Sequence, residues 1–174
     1  MYFFEMMKPL ENKLLSLLIQ LPPSLTKDEG LPKLERLIPH LWKKYRYAIE
    51  IRHKSWFTRE VYNFLKDNKI CLAWSQLDAI QMPPELTTDY FYLRFIGDRS
   101  IDEKDFGKIQ KDRIAEMEKW ARVIRKVGKK VSIGIVPANN RYAGFRPATA
   151  NEFRRTLVQP TAIWEEMKQS RLDL

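Results

Sequence analysis

The chain has little cysteine and little histidine: one cysteine, Cys71, and two histidines, His40 and His53, among 174 residues. A single cysteine excludes an intramolecular disulfide, and one chain with this content cannot build a cysteine cluster or a histidine-rich metal site. We therefore predict no metal site. No motif in the sequence indicates a particular cofactor.

Long apolar runs are also absent. The longest, Leu14–Leu21, is interrupted by Ser16 and Gln20 and falls well short of the roughly 20 residues that cross a bilayer. Residues 1–8 include Glu5 and lack a small-residue cleavage site, so they do not resemble a signal peptide. These absences predict a cytoplasmic protein with no membrane partner.

Three common site motifs are missing. The chain has no G-x-x-x-x-G-K-[ST] phosphate loop, no G-x-G-x-x-G and no G-x-S-x-G. It also lacks a Gly/Ser linker, a low-complexity tract and an internal repeat. Together with the length, this predicts one domain over residues 1–174.

A basic excess is the one unusual feature of composition. Lys and Arg outnumber Asp and Glu 31 to 22, for a net charge of +9. Such a charge suits a phosphate-bearing or nucleic-acid ligand, but a solvated basic surface also explains it and is the interpretation we favour. Much of the excess lies in helix-like stretches such as 119–130, which would face water.

Short apolar strands alternate with amphipathic helices through most of the chain. Strands are predicted at 14–21, 47–53, 70–75, 89–97 and 130–137, and helices at about 30–45, 58–69, 105–127 and 147–157. Thr58 is placed to cap its helix, and Pro147 suits a first turn. Only the connection from Ser75 to Asp89 lacks a helical pattern. The alternation predicts an α/β protein with a parallel sheet, the C-terminal part of a TIM-type barrel.

Five strands are fewer than the eight of a closed barrel. Either the sheet stays open, or a partner chain supplies the remaining strands. The run 14–21 would be an aggregation hazard as an exposed edge, so self-association is a hypothesis. Concentration-independent monomers in dilute sizing experiments would remove it.

Polar side chains gather where the predicted strands end, which is where parallel α/β folds bind ligands. They are Gln20; Glu50, Arg52 and His53; Ser75 and Asp78; Arg94, Gly97 and Asp98; and Asn139 with Asn140. This order along the chain is the main evidence in the sequence for a functional site.

Glu50 and Arg52 lie two residues apart on one strand, so their side chains share a face. Arg52 is a candidate to hold an anionic ligand, with Glu50 as a base or an orienting group. A neutralised internal ion pair is the alternative. His53 is a candidate proton carrier or single metal ligand, but a hydrogen-bonded residue at a strand end is the interpretation we favour.

Arg94 lies among large apolar residues and therefore needs a carboxylate or an anionic ligand; Asp98 and Glu50 are the internal candidates. Gly97 permits close approach of a ligand to the backbone. Asn139 and Asn140, with the start of the helix at Pro147, are candidates for a phosphate site. Alternatively, the two asparagines only form a turn.

Four segments carry a resemblance to a known family. They are Glu50-Ile51-Arg52-His53-Lys54-Ser55-Trp56-Phe57, Gln20-Leu21-Pro22-Pro23, Tyr92-Leu93-Arg94-Phe95-Ile96-Gly97, and Asn139-Asn140 with Tyr142, Gly144, Pro147 and Ala150. In this order they resemble the motifs of domain of unknown function 72, the YecE-like family. The resemblance runs from near the start to about residue 157.

The resemblance implies a TIM-barrel fold of uncharacterised biochemical role, with the first barrel strands missing here. It also implies pocket roles for Gln20, Glu50, Arg52, His53, Arg94, Asn139 and Asn140. Two departures stand out. Ile96 replaces the family's usual histidine, and 135–138 replaces an aromatic run.

Three functions follow from these observations. The first is an enzyme, or former enzyme, that binds an anionic or phosphorylated ligand at the strand ends. The second is nucleic-acid binding or processing, from the charge and an analogy with barrel-type endonucleases. The third is a catalytically inactive remnant or an interaction module, favoured by the missing strands.

Overall fold

A computed structural model describes residues 2–77, 80–97 and 100–162. Its helices are α1 (Tyr2–Met7), α2 (Lys27–Leu37), α3 (Arg59–Asp67), α4 (Ile114–Val127), α5 (Asn140–Ala143) and α6 (Arg146–Thr156). Its strands are β1 (Leu17–Gln20), β2 (Tyr47–Glu50), β3 (Cys71–Gln76), β4 (Tyr90–Phe95) and β5 (Ile133–Ile135). Short 3-10 turns lie at Lys8–Lys13, Ile38–His40, Lys54–Trp56, Glu103–Asp105 and Gly128–Lys130.

The strands form one sheet in the order β1-β2-β3-β4-β5. The register pairs Gln20 with Glu50, Glu50 with Ala73, and Tyr92 with Ile135, all in parallel. Sequential parallel strands with helices between most of them confirm the predicted α/β class and are consistent with part of a TIM-type barrel. Among the described strands, β1 and β5 are the edges.

The described residues fall into two compact units. The first holds the chain up to Ser75, the segment ending at Leu93, and Lys130–Ile135, and so contains most of the sheet. The second holds Gln76, Arg94–Lys129 and the chain from Val136 onward. The single domain stays a prediction, and the two units are described separately below.

One face of the sheet in the first unit carries small residues around a buried tyrosine. Ala48, Cys71, Ala73 and Tyr90 form this cluster. The Tyr90 hydroxyl donates to the Tyr47 carbonyl over 2.7 Å, and burial raises the pKa of Tyr90. Burial likewise raises the pKa of the Cys71 thiol to about 12, so this thiol is no nucleophile at neutral pH.

Threonine caps set the starts of two helices. The Thr58 hydroxyl accepts from the Val61 N–H at the start of α3, as predicted. Thr26 accepts from the Glu29 N–H, so α2 begins at Lys27, earlier than the predicted Gly30. The same helix ends at Leu37 because Pro39 follows, and the predicted continuation to residue 45 is wrong.

The connection between β3 and β4 has no helix in its described part, residues 80–89. It is fixed to the sheet by hydrogen bonds instead. The Thr87 hydroxyl bridges the Leu72 N–H and the Ile70 carbonyl, both at 2.7 Å, and the Trp74 indole donates to the Glu85 carbonyl at 2.9 Å. The missing helical pattern in the sequence therefore corresponds to a tethered loop.

Other predicted boundaries differ from the structure in extent. The strand predicted at 14–21 is shorter in the structure, Leu17–Gln20; residues 14–16 link it to the 3-10 turn at Lys8–Lys13 without regular structure. The helix predicted at 105–127 starts only at Ile114; before it, Gly107 has φ 112° and breaks any helix. α1 and the one-turn α5 were not predicted.

Candidate functional site

Glu50 and Arg52 form an ion pair at the carboxyl end of β2. The Arg52 Nε atom lies 2.6 Å from the Glu50 Oε1 atom, and the Glu50 side chain is 0% exposed. Arg52 Nη2 donates to the Gln20 side-chain oxygen at 3.0 Å. Three of the predicted site residues are therefore in direct contact, and Glu50 orients the guanidinium.

The outer part of the Arg52 guanidinium is available to a ligand. Its side chain is 25% exposed, and within the described ranges no acceptor is bonded to Nη1. A guanidinium held on one side and open on the other presents parallel N–H groups that match a carboxylate or phosphate. Because Glu50 neutralises the positive charge of Arg52, we expect an anion to be bound mainly by hydrogen bonds from the guanidinium rather than by its net charge.

His53 is held in one tautomer by Ser55. The Ser55 hydroxyl oxygen accepts from the Lys27 N–H at 2.8 Å and lies 2.8 Å from His53 Nδ1. The Ser55 N–H donates to Nδ1, at 3.2 Å. With Nδ1 an acceptor, the ring proton resides on Nε2, and this half-buried side chain presents a hydrogen-bond donor.

Ser75 is a polar group without a partner on β3. Its side chain is buried, 2% exposed, and its hydroxyl makes no hydrogen bond to any residue the structure describes. Ser75 lies two residues beyond Ala73, which pairs with Glu50, so it shares a sheet face with Glu50. Sequence reasoning placed Ser75 at a strand end but gave no role to Ser75 or to Ser55.

In the second unit, Gly97 is needed for close packing within the protein. Its φ is +75°, and a Cβ there would lie 2.2 Å from the Arg141 carbonyl oxygen and 2.4 Å from the Tyr142 Cα. Tyr142 is buried, and its ring centroid lies 4.7 Å from that of Phe95. The close approach that Gly97 permits is thus to the backbone of α5.

Asn139 and Asn140 both cap helices with their side-chain oxygens. Asn139 Oδ1 accepts from the Arg141 N–H at 3.0 Å and starts α5. Asn140 Oδ1 accepts from the Arg146 N–H at 2.8 Å, which satisfies a backbone donor at the start of α6. The predicted turn is therefore a pair of caps, and the side-chain amide nitrogens face away from these bonds.

Arg94, Asp98 and Asp78 are the remaining predicted site residues of this unit. Arg94 is half-buried on β4 and interacts within the chain. The predicted carboxylate partner Asp98 and the strand-end residue Asp78 lie outside the described residues.

Replacing Asn140 with alanine is expected to lower the free energy of unfolding by about 1 kcal/mol, as loss of an N-cap usually does. Asn140→Asp keeps an acceptor near the helix start and should lose less. Urea denaturation followed by circular dichroism measures both. An alanine variant as stable as the parent chain would show that the cap contributes nothing.

The described part of the chain supports neither a metal site nor a membrane-spanning helix. No group of three or more His, Cys, Asp and Glu side chains there is arranged to hold a metal ion. None of its helices combines the length and the apolar character needed to span a membrane.

Fold and strand-end residues together define an α/β protein with a five-stranded parallel sheet, consistent with part of a TIM-type barrel, and a polar cluster at the ends of β1 and β2. The chain belongs to the family described as "Protein of unknown function DUF72", whose model matches residues 1–171. This confirms the resemblance seen in the sequence motifs. No curated protein matches the chain.

Solved structures of this family share the fold. A DUF72 family protein from Thermotoga maritima MSB8 is 26% identical with a TM-score of 0.73, and covers 91% of this chain. One from Enterococcus faecalis V583 is 22% identical with a TM-score of 0.71, again over 91% of this chain. The chain spans 64% of the first structure and 67% of the second.

Proposed function

We propose that the chain binds an anionic or phosphorylated small molecule at the carboxyl ends of β1 and β2, with Arg52 as the main contact. The observation that carries this proposal is a partly exposed guanidinium that donates through Nε to Glu50 and through Nη2 to Gln20, with no acceptor on Nη1 among the described residues. Preorganisation of this kind lowers the entropic cost of binding.

Glu50 acts in this proposal as a positioning residue. Its carboxylate is fully buried and bonded to Arg52, which leaves it poorly placed to take a proton from a ligand. His53 is the better candidate for contact with the ligand, since its Nε2–H donates. The roles predicted for Arg94, Gly97, Asn139 and Asn140 stay predictions.

The proposal is tested by titrating inorganic phosphate into isotope-labelled protein at low salt and following the arginine Nε–H and backbone amide signals. We expect saturable shifts at Gln20 and at residues 50–55. Arg52→Lys keeps the positive charge but loses the planar set of N–H donors of the guanidinium. It should weaken phosphate binding about tenfold, equivalent to ~1.4 kcal/mol.

Arg122→Lys is the matched control, because the ion pair of Arg122 with a described residue is a long surface pair with Glu118 at 4.0 Å. It should leave phosphate binding unchanged. If residues 20 and 50–55 do not shift at about 10 mM phosphate, ten times a Kd of ~1 mM, the proposal is wrong. That result would favour an inactive remnant or an interaction module.

A further inference from the structure

A second concave surface lies at the other ends of the strands, within the first unit. Two recesses of about 500 and 560 Å³ share the lining residues Lys43, Tyr45 and Lys69. The larger also includes Arg46 and Tyr90, at the starts of β2 and β4. Volumes of this size are typical of ligand sites.

Three exposed cations line these recesses without a carboxylate partner in the described part of the chain: Lys43, Arg46 and Lys69. A fourth exposed cation, Lys44, lies between Lys43 and Tyr45 in the chain and also has no carboxylate partner among the described residues. We name these four residues the basic face. Lys66 also lines the larger recess, but Glu85 neutralises it at 2.5 Å. Asp67 and Asp89 are the carboxylates among the lining residues. The surface is therefore net positive.

Aromatic rings position two of these cations. The Lys44 ammonium lies 5.1 Å from the Trp42 ring centroid and 4.8 Å from that of Tyr45. The Arg46 guanidinium lies 5.8 Å from the Tyr90 ring centroid. Cation–π contacts hold the side chains while leaving their N–H groups free to meet phosphates.

The Tyr45 hydroxyl gives a second, independent indication of a ligand. It is buried, lines both recesses and makes no hydrogen bond to a described residue. A buried hydroxyl without a partner is costly, and a ligand oxygen would satisfy it. Tyr45 thus brings a buried hydroxyl without a described partner into the lining, beside the cations of the recess.

We infer that the basic face binds the phosphate backbone of a single-stranded nucleic acid. Unpaired cations in a groove follow successive phosphates and release the counterions condensed on them. A flat bilayer surface would not reach cations that line concave recesses. This inference is independent of the ligand proposed at Arg52, which lies at the opposite ends of the strands.

The test measures binding of a fluorescent 12-nucleotide oligo-dT by anisotropy between about 20 and 200 mM NaCl. The triple variant Lys43→Gln, Arg46→Gln, Lys69→Asn removes three cations; asparagine suits the φ of +55° at position 69. We expect binding to weaken at least tenfold at low salt. The plot of log K against log salt has a negative slope, and its magnitude should decrease by about 2, which is ~0.7 for each lost phosphate contact.

The matched control Lys119→Gln, Lys126→Gln, Lys129→Gln removes the same charge from exposed lysines outside the basic face. It should keep the parental slope. An equal loss in both triple variants, or equally strong competition by polyglutamate, overturns the inference. Lys69→Asn alone should lower the slope by about 0.7, which keeps the test decisive if the triple variant unfolds.

Discussion

Arg52→Ala is expected to lower the free energy of unfolding by about 2–4 kcal/mol. Removing one partner of a buried ion pair takes away part of the compensation of the other charge, which costs up to ~3–5 kcal/mol for fully buried pairs. Here Glu50 is fully buried, but Arg52 is 25% exposed, so water offsets part of the loss. Chemical denaturation at neutral pH measures the change.

A double-mutant cycle separates the ion pair from simple loss of side-chain packing. Glu50→Gln removes the buried charge, so adding it to Arg52→Ala should recover much of the lost stability. The surface variant Arg122→Ala, which breaks the pair with Glu118, should change stability by less than ~1 kcal/mol. If Arg52→Ala is no more destabilising than Arg122→Ala, Glu50 does not depend on Arg52.

The sheet was largely predictable because fully buried parallel strands have a strong sequence signal. Ile49, Leu72 and Leu93 are all at most 1% exposed, and each lies in a run of apolar residues. The start of α3 was predictable because Thr58 marks it, whereas the equivalent cap Thr26 was overlooked and α2 was predicted to start at Gly30. The long stretch before α4 was not, because its charged residues fit a solvated helix and a loop equally well.

Within the candidate site, the alternation of side chains between the two faces of a strand was enough to place Glu50 and Arg52 on the same face. The contact with Gln20 depended on strand register, which alternation alone does not give. The tautomer of His53 depended on its contact with Ser55, and Ser55 is in turn bonded to Lys27, which lies 28 residues before Ser55 in the chain. Such long-range hydrogen bonds leave no local pattern in the sequence.

The net charge of +9 indicated an anionic partner without locating it. Only the structure shows that some cations are paired, such as Lys66, while those of the basic face are not. Sequence reasoning assigned much of the excess to the helix around 119–130 and overlooked 43–46. The missing information was the set of partners for each cation, which depends on the fold.

Gly97→Ala is expected to be the more damaging of two glycine substitutions, at about 3–5 kcal/mol. A non-glycine residue at positive φ costs ~1–2 kcal/mol, and the added Cβ must also displace backbone atoms of Arg141 and Tyr142. Backbone yields less readily than a flexible side chain, so α5 and the Tyr142 packing on Phe95 should be disturbed together.

Gly107→Ala separates the two contributions to that loss. Gly107 also has a positive φ, +112°, but a Cβ there has no heavy atom within 4 Å. It should therefore cost only the conformational part, about 1–2 kcal/mol. The difference between the two variants, measured by thermal and urea unfolding, is the cost of forcing α5 away from residue 97. Equal destabilisation by both would mean that the chain before Asn139 shifts freely, so that Gly97 does not fix the position of the Asn139–Asn140 caps.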